Sequence, residues 1–255
     1  MVDLPHLSRR SVLTTGLLGA GSLLLPGCDR LNSAPGFRRV LIGSQGLTMA
    51  AQRALMGDGL AREFAETAMS PQFRANGSLT GDDPAWRAAA ATGFSGWNLL
   101  VDGLVQTALA LPLSALQAMP QRRQITRHDC VEGWSAIGQW QGPQLGPILA
   151  KAGLLPTARY VVFHCADRLS GKPYYESIDL IDAFHPQTIL AWQMNGQPLP
   201  IQHGAPLRLR VERQLGYKQA KYVMRIELRA SLAGLYGGKG GYWEDGHDYA
   251  WYAGI

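Results

Sequence analysis

Arg127-His128-Asp129-Cys130-Val131-Glu132-Gly133-Trp134-Ser135 is the stretch on which the reading of this chain turns. Residues Arg122 to Glu132 carry an extended pattern that ends at Cys130, so the cysteine is expected at a strand-to-loop exit, where a side chain can face a ligand. The chain has three cysteines, Cys28, Cys130 and Cys165. A disulfide between Cys130 and Cys165 and a thiolate on a metal are both open to this pair. No Cys-x-x-Cys, no His-Glu-x-x-His and no His/Cys cluster at zinc spacing occurs, and no Gly-x-Ser-x-Gly elbow, so zinc and serine-hydrolase chemistry lose support.

Outward from Cys130, the pattern is strand-like over Trp97 to Val105 and briefly helical over Leu113 to Met119. Beyond it, Pro143 to Ala152 reads as a helix stopped by Gly153, and Tyr160 to Cys165 as a buried strand. Further strands are expected at Thr188 to Met194, Leu207 to Glu212 and Lys221 to Leu228, separated by Asn195-Gly196, Pro206 and the loop at Gly216. This is a mixed α+β pattern without regular βαβ alternation. The Gly-rich run Gly234 to Gly241 and the aromatic tail Tyr242 to Tyr252 are too short for a second domain, and are expected to wrap back onto the first.

The N-terminus carries a different kind of signal. Arg9-Arg10 precede an apolar run, Val12 to Leu25, that is shorter than the ~20 residues a membrane span needs. That pattern resembles a twin-arginine export signal, the route of proteins that fold around a cofactor before export. It ends in Leu25-Pro26-Gly27-Cys28, similar to a lipobox, so Cys28 is a candidate lipid anchor and the expected location is the periplasm. The organisation expected is a signal at 1–28, a tether and N-terminal helix at 29–72, and one catalytic domain at 73–255. Within the tether region, Asp29 to Arg39 reads as the linker and Ser44 to Ala68 as the helix, with Ser44 as N-cap.

Composition agrees with a single catalytic domain, because 46% of the 255 residues are hydrophobic and only 17% charged. The net charge of +5 is spread along the chain without a basic run, which argues against nucleic acid and suits an anionic cofactor or substrate.

The segment around Cys130, with Trp140-x-Gly142 behind it, resembles the metal-binding cysteine segment of the sulfite-oxidase superfamily, especially its periplasmic methionine-sulfoxide-reducing branch. The resemblance implies that Cys130 is the protein thiolate on a molybdenum held by a pterin dithiolene. It continues at matching spacing over roughly Phe73 to Ala230. Leu199-Pro200-x-x-His203-Gly204-Ala205-Pro206-Leu207-Arg208 resembles the stretch in which an asparagine and an arginine hold the pterin; His203 stands at the asparagine position and Arg208 is retained. Gly216-Tyr217-Lys218-Gln219-Ala220-Lys221-Tyr222 resembles the phosphate-gripping segment, which assigns Gln219, Ala220 and Lys221 to the cofactor. Phe73-Arg74-x-Asn76 resembles the entry segment, with Asn76 as a pterin contact, and Cys165 falls where relatives carry a pterin-contacting threonine.

The resemblance implies an α+β fold with a mixed β-sheet, barrel-like core and flanking helices. It implies a molybdenum-molybdopterin oxidoreductase that moves an oxygen atom to or from a small sulfur- or nitrogen-containing substrate, such as a sulfoxide. The sequence lacks the Cys-x-x-Cys-His of a haem c site. Electrons are therefore expected to come through a separate partner, a membrane haem protein or a soluble cytochrome. The rival expectation is a binding module that kept the fold and lost the metal.

Overall fold

The computed structural model describes residues 34–255. The twin-arginine and lipobox segments lie outside the described residues. Two compact units are present, divided at Leu55 and Met56.

The first is a helix, α1 (Pro35–Met56). It begins earlier than the expected Ser44, because Pro35 supplies a first-turn residue with a preset φ. It ends well before Ala68, because Gly57 turns left-handed at φ 49°. Ser44 is therefore interior, and its carbonyl accepts from Thr48 Oγ1 at 3.0 Å instead of capping the helix.

In the second unit the chain runs as α2 (Pro84–Ala91), β1 (Asn98–Gly103), β2 (Leu109–Pro112), α3 (Leu113–Ala118), β3 (Gln121–Asp129), β4 (Ser135–Pro143) and α4 (Leu145–Ala152). It continues through β5 (Tyr160–Leu169), β6 (Lys172–Asp179), α5 (Leu180–Ala183), β7 (Ile189–Ala191), β8 (Gln193–Met194) and β9 (Gln197–Pro198). It closes with β10 (Arg208–Arg210), β11 (Val223–Arg229) and α6 (Tyr242–His247).

The expected α+β class is what forms. Its strands are arranged as a five-stranded sheet in the order β2-β1-β11-β5-β6, a four-stranded sheet β3-β4-β8-β9, and the pair β10-β7. Only β1 and β11 run parallel. The fold therefore rests on separate sheets without a closed barrel among the described residues.

Alternation builds the main core: Leu99 and Val101 point inward from β1 while their neighbours face out. Against them pack Leu145, Ile148, Leu149 and Ala152, one face of α4, which Gly153 terminates at φ 69°.

Several expected strands change shape. Thr188 to Met194 breaks at Trp192, so β7 pairs with β10 while β8 pairs with β4. The strand expected at Leu207 to Glu212 shortens to the three residues of β10. Four strands, β2, β4, β6 and β9, escaped the sequence reading. β4 carries Gly138 and Gly142, which hide its strand character, and β6 carries Pro173, which is tolerated because β6 is a sheet edge. The tail does wrap back: Glu176 bridges to Gly241, Gln214 bridges to Gly254, and Ile255 N–H donates to Arg213 O at 3.0 Å.

Gly142 marks the tightest crossing of the two smaller sheets, since a Cβ there would collide with the Leu190 carbonyl oxygen on β7. Backbone cannot swing aside as a side chain can. Gly142→Ala should lower stability by about 3 kcal/mol, read as a reduced urea midpoint; an unchanged midpoint would show that β4 and β7 separate easily.

Candidate active site

β3 and β4 form a hairpin in continuous register from Gln121↔Pro143 to Asp129↔Ser135, which leaves Cys130 to Trp134 as its loop. Cys130 N–H donates to Trp134 O at 2.9 Å, and Gly133, at φ 84°, donates back to Cys130 O at 3.0 Å. The thiol is therefore the first side chain beyond the ladder, as expected, and it is held by a tight turn. Asn76 Nδ2 donates to its sulfur at 3.5 Å, which fixes where the side chain points.

Cys130 lines a cleft of about 810 Å³, open mouth included. Asn76, His203, Arg208, Gln219 and Lys221 line the same cleft. Stretches far apart in sequence thus converge on one space. Cys165 and Ala220 are not among the lining residues. Ala220 is fully buried in the core, and Cys165 packs beside that core with its sulfur 3.8 Å from Phe163 O. Burial pushes the Cys165 thiol well above its usual range. Both thiols are free, so the disulfide alternative does not form.

The cleft's electrostatics are one-sided. Arg208 is buried, donating from Nη1 to His203 O at 3.0 Å and lying 4.7 Å over the Trp140 ring. Burial, aided by neighbouring Arg210, lowers its pKa to about 9. Lys221 donates to the carbonyls of Asn76 (2.8 Å), Gln202 (3.1 Å) and Ser78. Burial and then Arg208 lower its pKa to about 8. Neither cation has a carboxylate within ion-pair distance among the described residues. Longer-range compensation comes to Arg208 from Glu212 and to Lys221 from Asp167, which accepts from Ser78 Oγ and whose own pKa burial raises to about 6.

Three buried atoms of cleft residues, Arg208 Nε, Gln219 Oε1 and Asp167 Oδ1, have no hydrogen-bond partner among the described residues. Each such atom costs about 1–3 kcal/mol if left unmet. Two cations with no ion pair among the described residues, beside three orphaned polar atoms and a thiol, fit a polar, anionic guest with a soft metal, which is what a molybdenum pterin phosphate is.

Two further features were not legible beforehand. Phe73 sits at the centre of a ring cluster, with centroids 5.3 Å from Trp140, 5.5 Å from His128, 5.7 Å from His203 and 6.3 Å from Trp134. It fastens the entry segment to the hairpin and to the arginine loop. On another part of the wall, Trp243 and Tyr249 stack at 5.5 Å and come from the C-terminal segment. No local pattern marks them. Asp167 lies near the end of β5, two residues beyond the stretch Tyr160 to Cys165 read as a buried strand.

This fold and cleft define a molybdopterin-binding oxidoreductase. The family described as "oxidoreductase molybdopterin binding domain" matches residues 88–234, more than half of the chain, and the chain belongs to it. It is 37% identical over 254 residues to a protein of Azospira oryzae provisionally named protein-methionine-sulfoxide reductase subunit YedZ1, covering 99% of this chain and 89% of that protein. It is 36% identical over 155 residues to the protein-methionine-sulfoxide reductase catalytic subunit MsrP of Xanthomonas campestris, covering 56% of this chain and 48% of MsrP. The match therefore spans about half the length of MsrP. Among solved structures, the sulfane dehydrogenase SoxCD of Paracoccus pantotrophus is similar with a TM-score of 0.48 and 22% identity, over 53% of this chain and 38% of that one.

A phosphate bound by Lys221 raises the lysine's pKa again, so binding takes up a proton above pH 8, where the free amine has lost it. Arg208 follows at about 9. Affinity for a pterin phosphate should be greatest below pH 8 and fall about tenfold by pH 9.5, measured by calorimetry on cofactor-free protein. Equal affinity at both pH values would remove Lys221 and Arg208 from the phosphate.

Proposed function

We propose that this chain is the catalytic subunit of an exported molybdenum–pterin system that reduces S-oxides. The observation that carries the reading is the placement of Cys130, at the turn of a hairpin, in one cleft with the two cations Arg208 and Lys221. The names of two of its relatives, both methionine-sulfoxide reductase components, support a sulfoxide as substrate and reduction as direction.

When bound, a molybdenum pterin supplies two-electron oxygen-atom transfer, and Cys130 is the residue that would coordinate its metal. The protein's own residues have separable tasks. Arg208 and Lys221 meet the phosphate charge, and Gln219 offers an acceptor to the pterin. Asn76 orients the Cys130 side chain through its amide. Phe73 and Trp134 wall the cleft with apolar surface, limiting water.

Reducing a sulfoxide to a sulfide and water consumes two electrons and two protons. Glu132, exposed on the cleft lining and accepting from Trp134 Nε1 at 3.3 Å, is the carboxylate that passes protons inward from solvent. The electrons come from a separate haem protein, a reading supported by the names of the relatives, which are subunits of methionine-sulfoxide reductases. Export in folded form through Arg9-Arg10, with Cys28 as a lipid anchor, places the enzyme in the periplasm beside such a donor.

Anaerobic assay of the metal-loaded protein should show turnover of methionine sulfoxide with a reduced dye and far less oxidation of sulfite with an acceptor. The reverse ranking, or purified protein without molybdenum, sinks the proposal. Cys130→Ser should abolish turnover while leaving the unfolding midpoint within about 0.5 kcal/mol of wild type, because a hydroxyl is nearly isosteric but a harder ligand. Retained turnover would take the cysteine out of the metal site. Replacing Arg9 and Arg10 with lysine should strand the protein in the cytoplasm, checked by cell fractionation; unimpaired export would assign it to another route.

A further inference from the structure

α1 carries an apolar arc on one side and all of its charges away from it, where Met49 lies among them. At 3.6 residues per turn, Phe37, Val40, Leu47 and Leu55 fall within about 80° of one another, and only the small Ser44 and Ala51 share their arc. Arg39 and Arg53 lie on the opposite side. Most of the arc is exposed: Val40 is 67% exposed, Leu47 75% and Leu55 88%, with Phe37 at 38%. The helix contains three arginines and no acidic residue. An ordinary solvated helix has the reverse arrangement, with apolar side chains hidden and charges of both signs on show.

We propose that α1 lies on the surface of an anionic lipid bilayer, its Phe37-Val40-Leu47-Leu55 arc sunk among the acyl chains and its arginines at the headgroups. An apolar arc holding phenylalanine and leucine, set against a side whose charges are all basic, is the mark of an interfacial helix. The phosphate headgroups supply the negative charge that the helix lacks. Pro35 is seven residues beyond Cys28, so the helix starts at most about 25 Å from that cysteine. A lipid on Cys28 would hold α1 against the bilayer, although the inference stands on the helix alone and is independent of the chemistry at Cys130.

The test is amide hydrogen exchange on the exported holoprotein, with and without protein-free vesicles of equal parts phosphatidylcholine and phosphatidylglycerol. Exchange over residues 35–56 should slow about tenfold or more with these vesicles, and less with phosphatidylcholine alone, while the rest of the chain is unaffected. Val40→Asp with Leu47→Asp should abolish the slowing and leave molybdenum content and turnover unchanged. Vesicles that leave exchange over 35–56 unaltered overturn the proposal. So does slowing that appears only with native membranes carrying their proteins, because the helix then docks on a protein.

Discussion

Everything at this site depends on how the Arg210 guanidinium is satisfied in the core. Its side chain has no solvent exposure, and Glu212 takes two of its donors at 2.9 and 2.5 Å. A third reaches His128 Nδ1 at 3.1 Å, and the plane lies 4.2 Å from the Trp140 ring. Removing any one partner would strand a charge that water cannot reach. The consequence is a fixed spacing between β10, which carries the arginines, and β3, which ends at the cysteine. Arg208 sits two residues away on the same side of β10, against the same tryptophan, yet it has no Glu212 of its own. One arginine is committed to holding the sheets together. The other lines the cleft.

His128 shows how far this arrangement propagates. Because Arg210 donates to Nδ1, the imidazole must be neutral with its proton on Nε2, and burial drives its pKa well below the usual histidine range. The turn Gly216–Lys218 crosses over that ring so closely that a Cβ at Gly216 would stand 2.5 Å from Nε2. Beyond the crossing, Lys218 is drawn into a fully buried group with Glu176 (2.7 Å) and Glu244, joining the Gly216–Lys218 turn to β6 and to the C-terminal helix. Positions from Arg210 to Glu244 are thus set in sequence, each by the one before.

What the sequence disclosed follows from the range of the forces involved. Cys130, Asn76, His203, Arg208, Gln219 and Lys221 were legible because each belongs to a short motif at a characteristic spacing, and the structure brings all six to one cleft. Ala220 and Cys165 belong to those motifs as well, but their side chains turn toward the core. The hairpin strand β4 was hidden because its two glycines, at 138 and 142, answer to close neighbours in other elements (the Phe73 ring and the Leu190 carbonyl) and to nothing nearby in sequence. Trp243 and Tyr249 were illegible for the same reason. Their place on the wall is decided by the pairing of Lys218 with Glu244, a contact between distant parts of the chain.

That last contact bears on biosynthesis. The wall of the cleft is contributed first by Phe73 and last by Tyr249, and the segment bearing Tyr249 is secured only when Glu244 reaches a lysine already buried. A nascent chain still lacking these residues has an unfinished pocket, in which Lys218 and Glu176 face each other without their third member. The cleft is thus finished only once the residues up to Tyr249 have joined the fold.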